Sequence, residues 1–207
     1  MKLYFTRHGK TEWNQARRFQ GMTGDSPLLP ESYEEIRQLG EYLKEVSFET
    51  IYCSPMSRTV KTVEGIVSEL QIKPEIVLSD ELKELGLGDL EGQKIALGKE
   101  LYPKQMQAMR SNPADYDPTP FKGETFEEML ERSVPYVKEK IAEASTGPLL
   151  FVSHGMTLGG IIQTLVGTPL PEIRKQGGLN NNSLSIVDVT DGVYTLELWN
   201  DDSFLTK

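Results

Sequence analysis

The chain carries two histidines, and each is followed by glycine, in Arg7-His8-Gly9 and in His154-Gly155. Any imidazole chemistry therefore falls on His8 or His154. Arg7 precedes the first, and Arg58 stands five residues after the only cysteine, Cys53. Two guanidiniums and two imidazoles brought together make a cationic pocket. Arginine suits bidentate recognition of phosphate oxygens. Glycine lets the backbone turn sharply and bring N–H groups close to an anion. A single histidine at a strand end reads as an ordinary core residue. Two of them, both at strand ends and both before glycine, point to a phosphoryl site.

Convergence needs a scaffold, and hydrophobic periodicity predicts one. Leu3–Thr6, Thr50–Cys53, Glu75–Leu78 and Leu149–Val152 are short apolar runs bounded by turn residues, which read as buried strands. Ile36, Leu39, Leu43 and Val46 recur at helical spacing, predicting a helix over 31–46. Val60, Val63, Val67 and Leu70 predict another, as do Leu158, Ile161, Ile162 and Leu165. Phe126, Met129, Leu130, Val134, Val137 and Ile141 mark a long helix, which Pro135 either kinks or joins locally. Leu184–Val189 and Val193–Trp199 flank Asp191-Gly192, a hairpin signature. Residues 84–123 hold scattered glycine and proline, with a short helix expected around 95–109.

Strands alternating with amphipathic helices predict a three-layer α/β/α sandwich with a mostly parallel sheet. The expected organisation is one domain over 1–207 with a cap insertion at about 85–130. In such sheets ligands bind beyond the carboxyl ends of the strands. Arg7-His8, Arg58 and His154 all come after strand ends, so a parallel sheet brings them to one rim.

Composition narrows the function classes. The chain has 207 residues, long enough to bury a sizeable core. One cysteine excludes a disulfide framework and a thiolate-rich zinc site, and two histidines exclude a three-histidine metal site. The 22 Lys and Arg against 31 Asp and Glu leave a net charge of −9. Such a surface repels nucleic acid and anionic lipid, so neither is expected as a partner. No run approaches the ~18 apolar residues of a membrane span. The N-terminus is too short an apolar stretch for a signal peptide, and a cytoplasmic location is expected.

The motifs in chain order resemble the histidine phosphatase superfamily, also called phosphoglycerate mutase-like. They are Arg7-His8-Gly9-x-Thr11-x-Trp13-Asn14, Gln20-Gly21, Ser54-Pro55-Met56-Ser57-Arg58-Thr59-x-x-Thr62, Leu82-x-Glu84-x-x-x-Gly88-x-x-Glu91-Gly92 and Val152-Ser153-His154-Gly155. The likeness runs from residue 2 to about 190. It implies that His8 is the nucleophile of a phosphohistidine intermediate. Arg7, Arg58, His154 and Asn14 would hold the phosphoryl group, and Gln20 and Gly21 would contact substrate. Glu84 would be the general acid for the leaving oxygen and then the base for water. For this it must carry a proton as the alkoxide departs, which desolvation or a close anion allows. A hydrogen bond from the second ring nitrogen would fix the His8 tautomer. No metal or cofactor is implied, because arginines neutralise the phosphoryl oxygens.

The resemblance separates two activities. In mutases of the family the site glutamate precedes an Arg-His-Tyr-type run, the insertion carries paired arginines, and Asn comes after the second His-Gly. Here Leu85-Gly86-Leu87 comes after Glu84, only Arg110 lies between 85 and 131, and Met156 comes after Gly155. Tyr102-Pro103, Asn112-Pro113-Ala114 and Gly123-Glu124-Thr125-Phe126 resemble the phosphatase branch. A phosphatase of a small phosphorylated metabolite is expected, with a mutase as the alternative and a non-catalytic phospho-ligand binding module as a remoter one. A thiol phosphatase needs Cys-x5-Arg, and Cys53 to Arg58 is one residue short. An iron enzyme using His8, His154 and a carboxylate is disfavoured by the adjacent arginines. Tyr102, Met106, Met109, Arg110, Phe121 and Lys122 of the insertion are candidate substrate selectors.

Overall fold

The computed structural model describes residues 1–145 and 147–206; Lys207, the end of the expected domain, lies outside them. Six strands form one sheet: β1 (Lys2–Arg7), β2 (Thr50–Cys53), β3 (Glu75–Leu78), β4 (Leu149–Ser153), β5 (Leu184–Thr190) and β6 (Val193–Asp201). Their order is β3-β2-β4-β1-β5-β6. The first four run parallel, and the β5–β6 hairpin pairs antiparallel on β1. Both hairpin turn residues, Asp191 (φ 51°) and Gly192 (φ 77°), take the left-handed conformation that a tight two-residue hairpin requires.

The helices are α1 (Glu12–Gln15), α2 (Pro30–Leu43), α3 (Ser57–Glu69), α4 (Ile95–Leu101), α5 (Pro103–Ser111), α6 (Phe126–Glu143) and α7 (Gly155–Leu165). The central strand β4 is buried at all five positions and divides its side chains between two cores. Leu149 and Phe151 pack with Leu3, Phe5, Val137 and Ile161 beneath α6 and α7. Leu150 and Val152 face Ile36, Leu39, Val63 and Ile66 of α2 and α3. That alternation on a period of two makes the three layers.

Two helices differ from the periodicity reading. The helix expected over 31–46 ends at Leu43, and Val46 packs from the turn beyond it. The helix expected around 95–109 is two helices, broken at Tyr102 because the residue before proline is pushed out of helical conformation. Pro135 is accommodated inside a continuous α6, whose start is fixed by a Thr125–Glu128 capping box. Leu85, Leu87, Met106, Met109, Phe121 and Phe126 form a third core, separate from the two on the sheet. Among the described residues no helix is long and apolar enough to cross a membrane.

Candidate active site

Strand register builds the site. Arg7 pairs with Ser153 across β1 and β4, so the next residues, His8 and His154, emerge side by side. Their ring centroids lie 5.3 Å apart. Cys53 pairs with Val152 across β2 and β4, which sets Ser54 beside His154; Ser54 Oγ lies 2.8 Å from His154 Nε2. The backbone after β2 then enters α3, whose first turn carries Arg58 back over the strand ends.

His8 is buried, with Nδ1 2.7 Å from the Gly9 carbonyl. A carbonyl only accepts, so Nδ1 carries the proton and Nε2 keeps its lone pair. This is the tautomer that a nucleophilic role requires. His154 Nδ1 accepts from Arg58 Nε at 3.2 Å, which leaves its Nε2–H to donate to Ser54. Burial, then the charges of Arg58 and Arg7, hold His8 well below the ordinary 6.5. Burial, Arg58, His8 and Arg7 do the same to His154. Both rings are therefore neutral near pH 7.

These shifts carry a stability consequence. Each histidine takes a proton near pH 6.5 when unfolded but resists it when folded. Below 6.5 the unfolded chain binds more protons, so stability falls as pH falls toward the folded values, by about 1.4 kcal/mol per pH unit for each ring. The expected Tm declines between pH 7 and 5.5, and His154→Gln flattens that decline relative to the unsubstituted chain. Parallel Tm profiles for the two proteins would falsify the assignment of the slope to this ring.

Arg58 is 1% exposed and fully engaged. Nη1 donates to Gly24 O at 2.8 Å and to Asp25 Oδ1 at 3.0 Å, and Nη2 donates to Gly21 O at 3.0 Å. With its amide oxygen toward Arg58, Gln20 accepts from Nη1 at 3.1 Å and shares the single Nε–H, at 2.9 Å, with His154 Nδ1. Glu91 ties the same loop to the chain after β3, accepting from Thr23 N at 2.9 Å, Leu87 N at 3.2 Å and Gly24 N. Arg7 donates Nη1 to Leu179 O at 2.7 Å, while its buried Nε has no partner.

Glu84 is 8% exposed and docks on the N-terminus of α7. Its oxygens accept from Met156 N (3.0 Å), Thr157 N (3.0 Å) and Thr157 Oγ1 (3.1 Å). Leu85 N adds a fourth bond at 2.9 Å. Unpaired N–H groups and the helix dipole suit a carboxylate there. Asn14 closes a capping box with Thr11, its Oδ1 accepting from Thr11 N at 3.1 Å, which leaves its amide N–H groups as donors.

A cavity of about 270 Å³ opens at this rim. Arg7, Asn14, Gln20 and Glu84 line it from the sheet side, and Met106, Met109 and Arg110 line it from α5. His8, Arg58, His154 and Gly21 are not among its lining residues. The first three are buried, and the Gly21 carbonyl is turned to Arg58.

Gly9 serves packing more than turning. Neither Gly9 nor Gly155 has a positive φ. A Cβ on Gly9 would stand 3.0 Å from Ile36 Cδ1 and 3.2 Å from Leu28 Cδ2, so glycine lets α2 approach β1. The Gly9 N–H donates to Thr62 Oγ1 at 3.0 Å, away from any anion role. Cys53 is buried, and burial pushes its thiol up to about 12, so it offers no thiolate. Among the described residues no three His, Cys, Asp or Glu side chains converge as a metal would need.

Motif reading missed Ser54 as a partner of His154, Asp25 as the counter-ion of Arg58, and Arg174, which lines the cavity. Ser54 sat within a quoted motif. Asp25 and Arg174 lie in irregular segments with no periodic or motif signal, and only chain folding brings them in.

Comparison with known proteins places this geometry in company. Residues 3–202 match the family described as the histidine phosphatase superfamily, branch 1. Probable phosphoglycerate mutase GpmB of Proteus mirabilis is 31% identical over 201 residues, covering 96% of this chain and 90% of its own. Its namesake in Photorhabdus laumondii is 33% identical with the same coverage. The solved structure of Bacillus stearothermophilus YhfR aligns with a TM-score of 0.90 at 28% identity, over 98% of each chain. A mycobacterial glucosyl-3-phosphoglycerate phosphatase shares the fold, with a TM-score of 0.86 at 24% identity over 96% of this chain and 98% of its own.

Proposed function

We propose that this chain, which belongs to the histidine phosphatase superfamily, hydrolyses phosphomonoesters of small metabolites through a phosphohistidine. The observation that carries this reading is the His8 tautomer. Nδ1 is held 2.7 Å from the Gly9 carbonyl, and the Nε2 lone pair is left to attack phosphorus. The phosphoryl group passes from the substrate oxygen to His8 Nε2. Glu84, carrying a proton when the phosphoryl anion of the ester stands beside it, gives that proton to the departing oxygen, then takes one from the water that attacks the phosphohistidine. Phosphate leaves and His8 is regenerated.

Arg7 and Arg58 supply fixed positive charge for the phosphoryl oxygens, where transition-state charge is spread. Asn14 donates its amide N–H to the same group. His154 joins them by turning its Nε2–H from Ser54 to a phosphoryl oxygen. Gln20 and Gly21 shape the entrance. The whole chain acts as one domain, with residues 85–130 as the cap over the site.

The residues immediately after Glu84 favour hydrolysis over mutase chemistry. Leu85 and Leu87 are buried in the third core, where the mutase pattern carries polar residues that grip a sugar acid. The names of the curated relatives favour the mutase as the second reading. A phosphate-release panel decides between them, with 3-phosphoglycerate assayed with and without its bisphosphate primer. Release of phosphate from several monoesters, indifferent to primer, is expected. Primer-dependent isomerisation outpacing release would establish the mutase, and binding without turnover of any ester would establish a non-catalytic module.

A further inference from the structure

The cavity holds more positive charge than one phosphoryl group needs. Beyond Arg7, its lining includes Arg18, Lys99, Arg110 and Arg174, against the single carboxylate of Glu84. This stands out in a chain of net charge −9, where carboxylates outnumber cations overall. Arg18 is partly used, donating Nη1 to Gly92 O at 2.6 Å. Arg110 and Arg174 are different. Arg110 lies in the last turn of α5, and Arg174 lies just past the single helical turn Leu170–Glu172 beyond α7.

Among the described residues neither Arg110 nor Arg174 forms an ion pair with a carboxylate. The Arg174 Nε is buried with no hydrogen-bond partner. Burial lowers the proton affinity of Arg174, the charge of Glu84 opposes this, and the charge of Arg110 adds to it. The two guanidiniums therefore repel each other across the cavity while Arg174 also feels the glutamate of the site. Unpaired like charges around a concave site are a recognisable binding arrangement. The same cavity has apolar wall supplied by Leu87, Ile95, Met106 and Met109.

We propose that Arg110 and Arg174 form a second anion subsite, so that the preferred substrate is the phosphomonoester of an apolar-bodied alcohol ending in a carboxylate or phosphoryl-type anion. This rests on the phosphatase reading and names its substrate class. The scissile phosphoryl group sits at Arg7 and His8. The apolar body lies on Met106 and Met109, and the distal anion receives guanidinium donors from both sides. The Arg174 Nε gains the acceptor it lacks. Hydrogen bonds between charged groups in such a site raise selectivity for the anion about ten- to hundredfold over a neutral isostere.

The test uses the full chain and three matched esters: 4-(phosphooxymethyl)benzoate, the corresponding benzamide, and the corresponding phenylphosphonate. The leaving alcohols differ at the remote end, so kcat/KM reports the subsite. The benzoate or the phosphonate is expected to exceed the benzamide by about tenfold or more, chiefly through KM. Preference for one anion over the other identifies which occupies the subsite. Arg110→Met and Arg174→Met are expected to bring the ratio toward one, and Arg174→Lys to restore part of it. Equal kcat/KM for all three esters in the unsubstituted protein overturns the subsite, whatever the variants do. So does a ratio that survives both methionine substitutions. No phosphate from any ester overturns the phosphatase reading and this substrate class with it.

Discussion

Replacing His8 with alanine is expected to abolish phosphoenzyme formation and to lower kcat/KM by more than about 10⁴-fold, the scale seen when a covalent nucleophile is removed. The arginines alone cannot replace it. They stabilise charge on phosphorus but offer no lone pair, since a guanidinium is always protonated and has no acceptor. The measurement is acid-labile, base-stable protein-bound phosphate after a brief pulse of labelled ester, together with steady-state release. The fold should survive, because the ring makes one hydrogen bond, to Gly9 O, worth about 1 kcal/mol. Loss of ring volume adds a small cavity beside the His154 ring 5.3 Å away. Retained binding of inorganic phosphate by the variant separates lost chemistry from lost structure. Phosphoenzyme that still forms in His8→Ala would move the nucleophile elsewhere, and His154 would be the first place to look.

Glu84→Gln is expected to be the second largest effect, and its signature is dependence on the leaving group. General acid catalysis contributes about 10²- to 10⁴-fold when the departing oxygen is a poor leaving group. An alkyl phosphate should lose that factor, while p-nitrophenyl phosphate, whose phenolate leaves unaided, should lose less than about tenfold. Glutamine preserves the shape, and its carbonyl oxygen can keep either the Met156 N bond or the Thr157 N bond, which reach different oxygens of the carboxylate. Its amide nitrogen cannot accept, so one of the N–H bonds now divided between two carboxylate oxygens is weakened. That structural cost acts on both substrates equally. The ratio between the two esters is therefore the informative quantity, and equal losses would count against Glu84 as the acid.

Much of the site was legible in the sequence because it is built on strand ends. A short apolar run that stops at Arg7-His8 or Ser153-His154 states both the strand and the side chain its end presents. Chain order then implies parallel pairing, and the Arg7–Ser153 register bears this out. The sequence misled where the effect was local. Glycine after each histidine suggested a sharp turn, whereas Gly9 is demanded by the approach of Ile36 and Leu28, a contact from elsewhere in the chain. Tyr102 sits inside an apolar pattern compatible with one helix, yet Pro103 splits it in two.

The layer architecture, the two histidines and the arginines beside them are written in the order of the residues alone. They rest on periodicity and residue type, properties that each segment carries without its neighbours. The tautomer of His8, the counter-ion of Arg58 and the docking of Glu84 on α7 emerge only when the chain is folded. So does the arrival of Arg174 in the cavity. Asp25 and Arg58 are 33 residues apart, and Glu84 and Thr157 are 73 apart. Hydrogen bonds and charge interactions at such separations depend on how distant segments are packed, and no periodicity within a segment encodes that distance.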